Sequence, residues 1–85
     1  MPHYIVDATH KLYGEPGVLI LYTPDLEKAK ELLHEKARFL YDVEGELTQR
    51  RPTSEEFRKA SVVAEKMWFS GFAEEEMAWP FRPED

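Results

Sequence analysis

Two short runs of aliphatic and aromatic residues near the amino terminus predict two β-strands. Residues 4–6 read Tyr-Ile-Val and residues 18–22 read Val-Leu-Ile-Leu-Tyr, and β-branched and aromatic residues of this kind are enriched in strands. Gly14, Pro16 and Gly17 lie between the runs and give a strong turn signal, so we expect an antiparallel pair. The second run is apolar at every position, which predicts that both of its faces are covered.

The apolar spacing then changes from that of a strand to that of a helix. One stripe recurs every three or four positions and comprises Leu26, Ala29, Leu33, Ala37 and Leu40. Leu32, Phe39 and Val43 widen this buried stripe. Thr23 suits the N-cap position and Pro24 the first helical position. These features predict a helix over residues 24–42, with Gly45 ending the local order and residues 42–48 as a candidate third strand.

A second helix is predicted over residues 54–70. Thr53 and Glu56 have the spacing of a capping box, and Gly71 suits the C-terminal cap. The apolar stripe of this helix comprises Phe57, Ala60, Ala64, Met67 and Trp68.

Together these elements predict an α+β fold in which a two-stranded antiparallel hairpin packs against two amphipathic helices. The compact domain is expected to span residues 1–71, followed by an acidic and aromatic C-terminal segment, residues 72–85. An isolated hairpin is only marginally stable, so its edges need cover from a third strand, from the C-terminal segment or from another copy of the chain. A homodimer is therefore one expected arrangement.

Composition narrows the class of protein. A chain of 85 residues forms one small domain. The absence of cysteine excludes a disulfide framework and a thiolate zinc site, and it fits a reducing compartment. The longest apolar run, residues 18–22, is too short to cross a bilayer, and the amino terminus lacks the basic region of a signal peptide. We expect a cytoplasmic protein that binds no membrane.

The formal net charge of −6 disfavours direct binding to nucleic acid, whose phosphates attract Lys and Arg. It favours a protein partner with a basic surface. Much of this charge lies in residues 72–85, where five acidic residues stand against Arg82 alone. The same segment carries the large apolar residues Phe72, Met77, Trp79 and Phe81.

Two interpretations of the C-terminal segment remain open. In one, its aromatic residues close the core of the domain, because small domains need every apolar group they can bury. In the other, Trp79 and Phe81 anchor a partner while acidic residues steer the encounter. The steering residues would be Glu74, Glu75 and Glu76.

Two further acidic sets are candidate partner-binding residues. Glu27, Glu31 and Glu35 recur every four residues and line one face of the first predicted helix. Asp42, Glu44 and Glu46 follow that helix directly. Together the two sets could imitate the spaced phosphates of a nucleic-acid duplex. The alternative is a solvated face of mixed charge, since Lys28, Lys30, Lys36 and Arg38 lie among them.

No catalytic or metal-binding pattern is evident in the sequence. The histidines, His3, His10 and His34, are scattered, and no second ligand follows at metal-site spacing. No serine lies in a nucleophile-elbow motif. The basic cluster of Arg50, Arg51, Arg58 and Lys59 is expected to pair with the acidic residues that follow the first helix, Asp42, Glu44 and Glu46, or with the C-terminal segment. We therefore expect no cofactor, no metal and no enzymatic activity.

The opening Met1-Pro2-His3-Tyr4-Ile5-Val6 resembles that of the tautomerase superfamily, especially the carboxymethyl-hydroxymuconate isomerases. The resemblance implies removal of the methionine, after which the secondary amine of Pro2 is the general base. An amine in an apolar pocket can have its pKa drawn towards neutrality. The family follows its first strand with a long helix, whereas here a turn and a second strand are predicted.

In general character the chain resembles the small accessory proteins of phages and mobile elements. Such proteins are short and acidic, and many, like anti-CRISPR proteins, inhibit a host complex by covering a basic surface. We therefore expect a stoichiometric inhibitor of a nucleic-acid-handling complex. The alternatives are a tautomerase-like enzyme that uses Pro2 and a structural subunit of a homo-oligomer.

Overall fold

The computed structural model describes residues 1–71, which form a five-stranded antiparallel sheet and two short helices. The strands are β1 (His3–His10), β2 (Pro16–Tyr22), β3 (Tyr41–Gln49), β4 (Ala60–Ala64) and β5 (Met67–Gly71). Helix α1 (Leu26–Leu32) continues into a π-helical turn at Leu33–Ala37, and helix α2 spans Ser54–Lys59. The strand order is β3-β1-β2-β5-β4. Of the helices in residues 1–71, none has the length and apolar character needed to cross a membrane.

This architecture corrects the predicted fold. The antiparallel pairing of β1 with β2 is confirmed, but a two-stranded hairpin packed against two amphipathic helices is wrong. Three more strands complete the sheet, so most of the backbone hydrogen bonds that the hairpin would leave open are made inside the chain. The main structural reason for expecting self-association is thereby removed.

The predicted helix over residues 24–42 is wrong beyond Ala37. After the π-helical turn the chain bends, and Tyr41 begins a nine-residue strand that replaces the candidate third strand with a longer one. Phe39 is 73% exposed, although the helical pattern assigned it to the buried stripe. The predicted N-cap is also wrong: the Asp25 carboxylate, not Thr23, accepts a hydrogen bond from the Lys28 N–H at 2.9 Å.

The predicted helix over residues 54–70 begins as expected and ends early. The Thr53–Glu56 capping box is present, but the helix stops at Lys59. The following run of Ser61, Val62 and Val63 favours a strand because β-branched side chains fit a sheet better than a helix. Lys66 adopts a positive φ of 65° in the turn from β4 to β5. Gly71 is the last residue of β5, so the prediction that it caps a helix is wrong.

The core lies between the sheet and α1 with its π-helical turn. We call the side of the sheet that faces this helix the first face. Its buried residues are Tyr4, Val6, Ala8, Leu19, Leu21, Ala29, Ala37, Tyr41, Met67 and Phe69. The helical contributions are alanines, so the helix can approach the sheet closely.

The opposite side, which we call the second face, has a smaller apolar cluster. Ile5, Val18 and Ile20 are each at most 3% exposed, and Ala60 and Trp68 pack against them. With Leu19 and Leu21 buried on the first face, the prediction that both faces of β2 are covered is confirmed.

Candidate functional site

Three carboxylates lie together at one corner of the second face. Asp7 of β1 pairs with Glu44 of β3, and Thr9 pairs with Asp42. Cross-strand partners project from the same side of a sheet, and Asp7 follows Ile5 by two residues, which places it on the second face. We call Asp7, Asp42 and Glu44 the acidic corner.

The acidic corner depends on an irregularity in β3. Between the pairs Ile5–Thr48 and Asp7–Glu44, β1 advances by two residues and β3 by four, so β3 contains two extra residues over this stretch. Gly45 adopts a positive φ of 82°, which costs glycine little and other residues more. Because the insertion is even, side chains before and after it keep the same facing. Asp42 and Glu44 thus share the second face with Thr48.

The charges of the acidic corner are weakly compensated. The Lys11 ammonium lies 3.9 Å from the Asp42 carboxylate, and both side chains are largely exposed. Within residues 1–71, no cationic group lies within 4.0 Å of the Asp7 or Glu44 carboxylate. Like charges directly opposite each other in a sheet are destabilising, so the fold carries this pair at a small cost.

The remaining predicted acidic residues do not join the acidic corner. Glu27 and Glu31 are exposed on α1, which packs on the first face, and Glu31 pairs with Lys28 at 3.6 Å. Glu35 lies in the π-helical turn, whose wider spacing displaces it from the four-residue periodicity of α1. The sheet separates this set from Asp42 and Glu44, so the structure does not bring the two sets onto one surface.

Glu46 has a different position from its neighbours in sequence. It lines a cavity of about 250 Å³ between α1 and β3, together with Lys30 and the apolar side chains of Leu26, Leu33 and Leu47. The five predicted partner-binding residues of the C-terminal segment, Glu74, Glu75, Glu76, Trp79 and Phe81, lie outside the described residues.

A cavity lined by four rings lies at the other end of the second face. Its volume is about 290 Å³, and its walls are His3, Ile20, Tyr22, Phe57, Ala60 and Trp68. We call it the aromatic cavity. The His3 ring centroid lies 4.7 Å from that of Tyr22 and 5.8 Å from that of Phe57, which it meets edge to face.

Sequence reasoning missed the aromatic cavity because it assigned Phe57 and Trp68 to the buried stripe of one helix. In the structure they belong to α2 and β5, and Phe57 is 48% exposed. The signal available in the sequence was an aromatic ring at the first residue of β1, His3, and another at the last residue of β2, Tyr22. These two residues pair at the open end of the hairpin.

A bidentate ion pair holds α2 against the end of β3. Both Arg50 guanidinium Nη atoms donate to the Glu56 carboxylate, each at 3.0 Å, and the Thr53 N–H donates to the same carboxylate at 2.9 Å. The hydrogen bond from Arg50 lowers the pKa of Glu56, although burial acts in the opposite direction. This pair fixes the position from which Phe57 reaches the second face.

Two cationic groups, the Arg51 guanidinium and the amino terminus, lie near His3 at one end of the aromatic cavity. Burial lowers the pKa of His3, and the Arg51 guanidinium and the amino terminus lower it further. No carboxylate of residues 1–71 lies within 4.0 Å of the Arg51 guanidinium.

The sequence predicted that the basic cluster pairs with Asp42, Glu44 and Glu46 or with the C-terminal segment. Within residues 1–71, Arg50 instead pairs with Glu56, and Arg58 and Lys59 pair with Glu55, so the predicted pairing with residues 42–46 is wrong. The C-terminal segment lies outside the described residues.

Pro2 lines an adjoining cavity of about 370 Å³. The guanidinium-bearing Arg50 and Arg51 share its walls with Met1, His3, Tyr22 and Gln49. The sequence could not show which arginines lie near Pro2, because Arg50 and Arg51 directly follow β3 and are distant from Pro2 along the chain. The chain after β1 forms a hairpin, in contrast to the helix of the tautomerase superfamily.

The other two histidines, His10 and His34, contact neighbouring side chains of the fold. His10 packs between Tyr13 and Tyr41, with ring centroids 4.7 and 4.9 Å away. His34 lies in the π-helical turn beside Arg38. In residues 1–71 no group of three or more His, Asp or Glu side chains is arranged to hold a metal ion.

The two edges of the sheet differ in chemistry. β3 carries the acidic corner and an irregular backbone, both of which discourage pairing with another strand. β4 consists of Ala60, Ser61, Val62, Val63 and Ala64, without a charge, and Val62 is 74% exposed. A homodimer stays a prediction, and β4 is the edge that such an association would use.

Comparison of the chain with protein-family models, with curated proteins and with solved structures finds no match.

Proposed function

We propose that this protein binds another protein through the second face and that the acidic corner contacts a basic surface of that partner. The observation that carries the proposal is the cross-strand pair of Asp7 and Glu44. The two carboxylates repel each other, and no cation of residues 1–71 lies within ion-pair distance of either. Uncompensated charges of one sign are suited to steering a partner of opposite charge.

The surroundings of the acidic corner support an interface. Two exposed apolar side chains lie on the second face around its buried cluster, Val62 at 74% and Phe57 at 48% exposure. Protein interfaces commonly combine an apolar centre with a polar rim. Proteins that handle nucleic acid present basic surfaces to phosphates, so we propose such a complex as the target. Covering that surface would inhibit it stoichiometrically, as in the accessory proteins that this chain resembles in character.

Two variants matched in charge test the proposal. The first neutralises the acidic corner (Asp7→Asn, Asp42→Asn and Glu44→Gln). The second, which we call the first-face variant, neutralises three glutamates of α1 and of its π-helical turn, the elements that pack on the first face (Glu27→Gln, Glu31→Gln and Glu35→Gln). Each changes the formal net charge from −6 to −3. Both variants and the unaltered protein are immobilised and exposed to lysate of the source organism at low and high salt.

We expect the unaltered protein and the first-face variant to retain a nucleic-acid-handling complex at low salt, and the acidic-corner variant to lose it. The captured complex should lose nucleic-acid binding at one equivalent of the protein, and the interaction should weaken at high salt. Equal loss in both variants would indicate a bulk charge effect and would contradict a role for the second face.

A second candidate function is supported by the cavity at Pro2. Once Met1 is removed, the Pro2 amine would share that cavity with Arg50 and Arg51, and an arginine is suited to binding a substrate carboxylate. Glu56 already engages Arg50, which leaves Arg51 for this role. Turnover of an enol or dienol acid that disappears in Pro2→Ala would support the enzyme, and a retained Met1 in the intact mass would exclude it.

A further inference from the structure

The aromatic cavity has walls and charges that select a particular kind of ligand. Three of its walls are the carbon rings of Tyr22, Phe57 and Trp68, which favour an apolar or aromatic group. Arg51 and Met1 line the adjoining cavity, which shares His3 and Tyr22 with this one, so a cation is disfavoured there. The ligand that fits is an aromatic side chain carried on an acidic segment.

The C-terminal segment, residues 72–85, has that chemistry. It carries Trp79 and Phe81 among five carboxylate side chains and one cation. Its first residue follows Gly71, the last residue of β5, which pairs with Gly17. The segment therefore leaves the sheet two strands away from β1, which contributes Asp7 to the acidic corner.

The span between Gly71 and the aromatic cavity is short enough for this segment. Gly71 is level with Gly17, and the cavity is level with Tyr22, five residues further along β2. At the rise of a strand this distance is about 17 Å. Eight extended residues span about 26 Å, so Trp79 can reach the cavity with length to spare, whereas Phe72 cannot.

Charge gives the segment a direction across the second face. The acidic corner repels carboxylates at the end where the segment starts, and Arg51 attracts them at the end where the cavity lies. We propose that residues 72–85 of this chain are the ligand of the aromatic cavity and that Trp79 occupies it. The cavity assigned to Trp79 includes Phe57 but not the acidic corner, so this inference removes Phe57 from the surface left for a partner and leaves the acidic corner, which carries the proposed function, open.

Tryptophan fluorescence of the full chain tests the inference. The chain has two tryptophans, so Trp68→Phe leaves Trp79 as the sole emitter and keeps a ring in the cavity wall. We expect blue-shifted emission and several-fold weaker quenching by iodide than in the same variant unfolded in urea. Adding Phe57→Ala should shift the emission to the red and restore quenching. Adding Phe39→Ala, the same change at a 73% exposed position, should leave both unchanged.

Two outcomes would overturn the inference. Emission of Trp79 equal to that of the unfolded chain would show that the cavity does not hold it. Protection that disappears on dilution would show that the ligand comes from a second copy. Nuclear Overhauser effects between the indole of Trp79 and the ring of Phe57, measured with Trp68 intact, guard against damage from the Trp68 substitution. Their absence in the folded protein would also contradict the inference.

Discussion

Asp7 and Glu44 are cross-strand partners whose carboxylates project from the same face of the sheet. A lysine at either position would form an ion pair there, and cross-strand pairs of opposite charge are stabilising. The fold instead places two like charges opposite each other and adds Asp42 two pairs further along, on the same face. Like charges that oppose stability, with only the exposed Lys11 of residues 1–71 within ion-pair distance of Asp42, are typical of surfaces that recognise something else.

Neutralising either member of this pair is expected to stabilise the fold. Asp7→Asn should raise the free energy of unfolding by about 0.2 to 1 kcal/mol, because the cross-strand repulsion is removed. Glu44→Gln should give a similar gain, and the double variant should gain less than the sum. Urea unfolding of the four proteins measures the coupling, and strictly additive gains would contradict direct repulsion between the two carboxylates.

The ion pair between Arg50 and Glu56 is expected to matter more than the exposed pairs. Glu56→Gln should lower the free energy of unfolding by about 1 to 3 kcal/mol, because a bidentate bond is lost within a half-buried site. The matched control is Glu55→Gln, which breaks exposed contacts to Arg58 and Lys59 and should cost less than about 1 kcal/mol. Equal losses in urea unfolding would contradict this difference.

The same pair predicts a dependence of stability on acid. The pKa of Glu56 is lower in the folded protein than in the unfolded chain, so the unfolded state binds more protons as the pH falls. The stability from this group is complete above its unfolded pKa and is lost as the pH falls through the folded one. The difference in unfolding free energy between the unaltered protein and Glu56→Gln should therefore shrink below about pH 4.

His3 predicts a second pH window. Its pKa is lowered by burial, by Arg51 and by the amino terminus, so protonation favours the unfolded chain. Stability should be complete above the unfolded pKa of about 6.5 and should fall as the pH drops below it. His3→Phe should flatten the slope of unfolding free energy between pH 8 and pH 5. Tyr22→Phe, in the same cavity, should leave that slope in place.

Two glycines are expected to resist substitution for different reasons. Gly45→Ala should cost about 1 to 2 kcal/mol, because φ is 82° and a Cβ strains that conformation. Gly17→Ala should cost more: a Cβ there would overlap the Ser70 carbonyl oxygen and lie 2.8 Å from Cζ of Phe69. Thermal unfolding compares the two. A smaller loss at Gly17 would show that β5 can shift away from β2.

Local patterns in the sequence were sufficient for the features that local chemistry controls. Strong turn residues between two apolar runs gave the hairpin, and the Thr53–Glu56 spacing gave the start of α2. The four-residue pattern of leucines and alanines identified a helix but not its end. The pattern of leucines and alanines continues at helical spacing through residues 33–40, although the chain there forms a π-helical turn and then a bend. The pattern therefore could not show where the helix stops.

What only the tertiary structure decided is which segments became strands and which side chains met. Residues 60–64 and 67–71 are too short for a period of two to be told from a helical one. Pairing of β5 with β2 and of β4 with β5 gives their backbone groups partners across the sheet, which outweighs the high helix propensity of alanine and methionine. The acidic corner joins residues about 35 positions apart and the aromatic cavity joins residues up to about 65 apart. The sequence alone supplied their charges and rings, whereas the register of the strands brought them together.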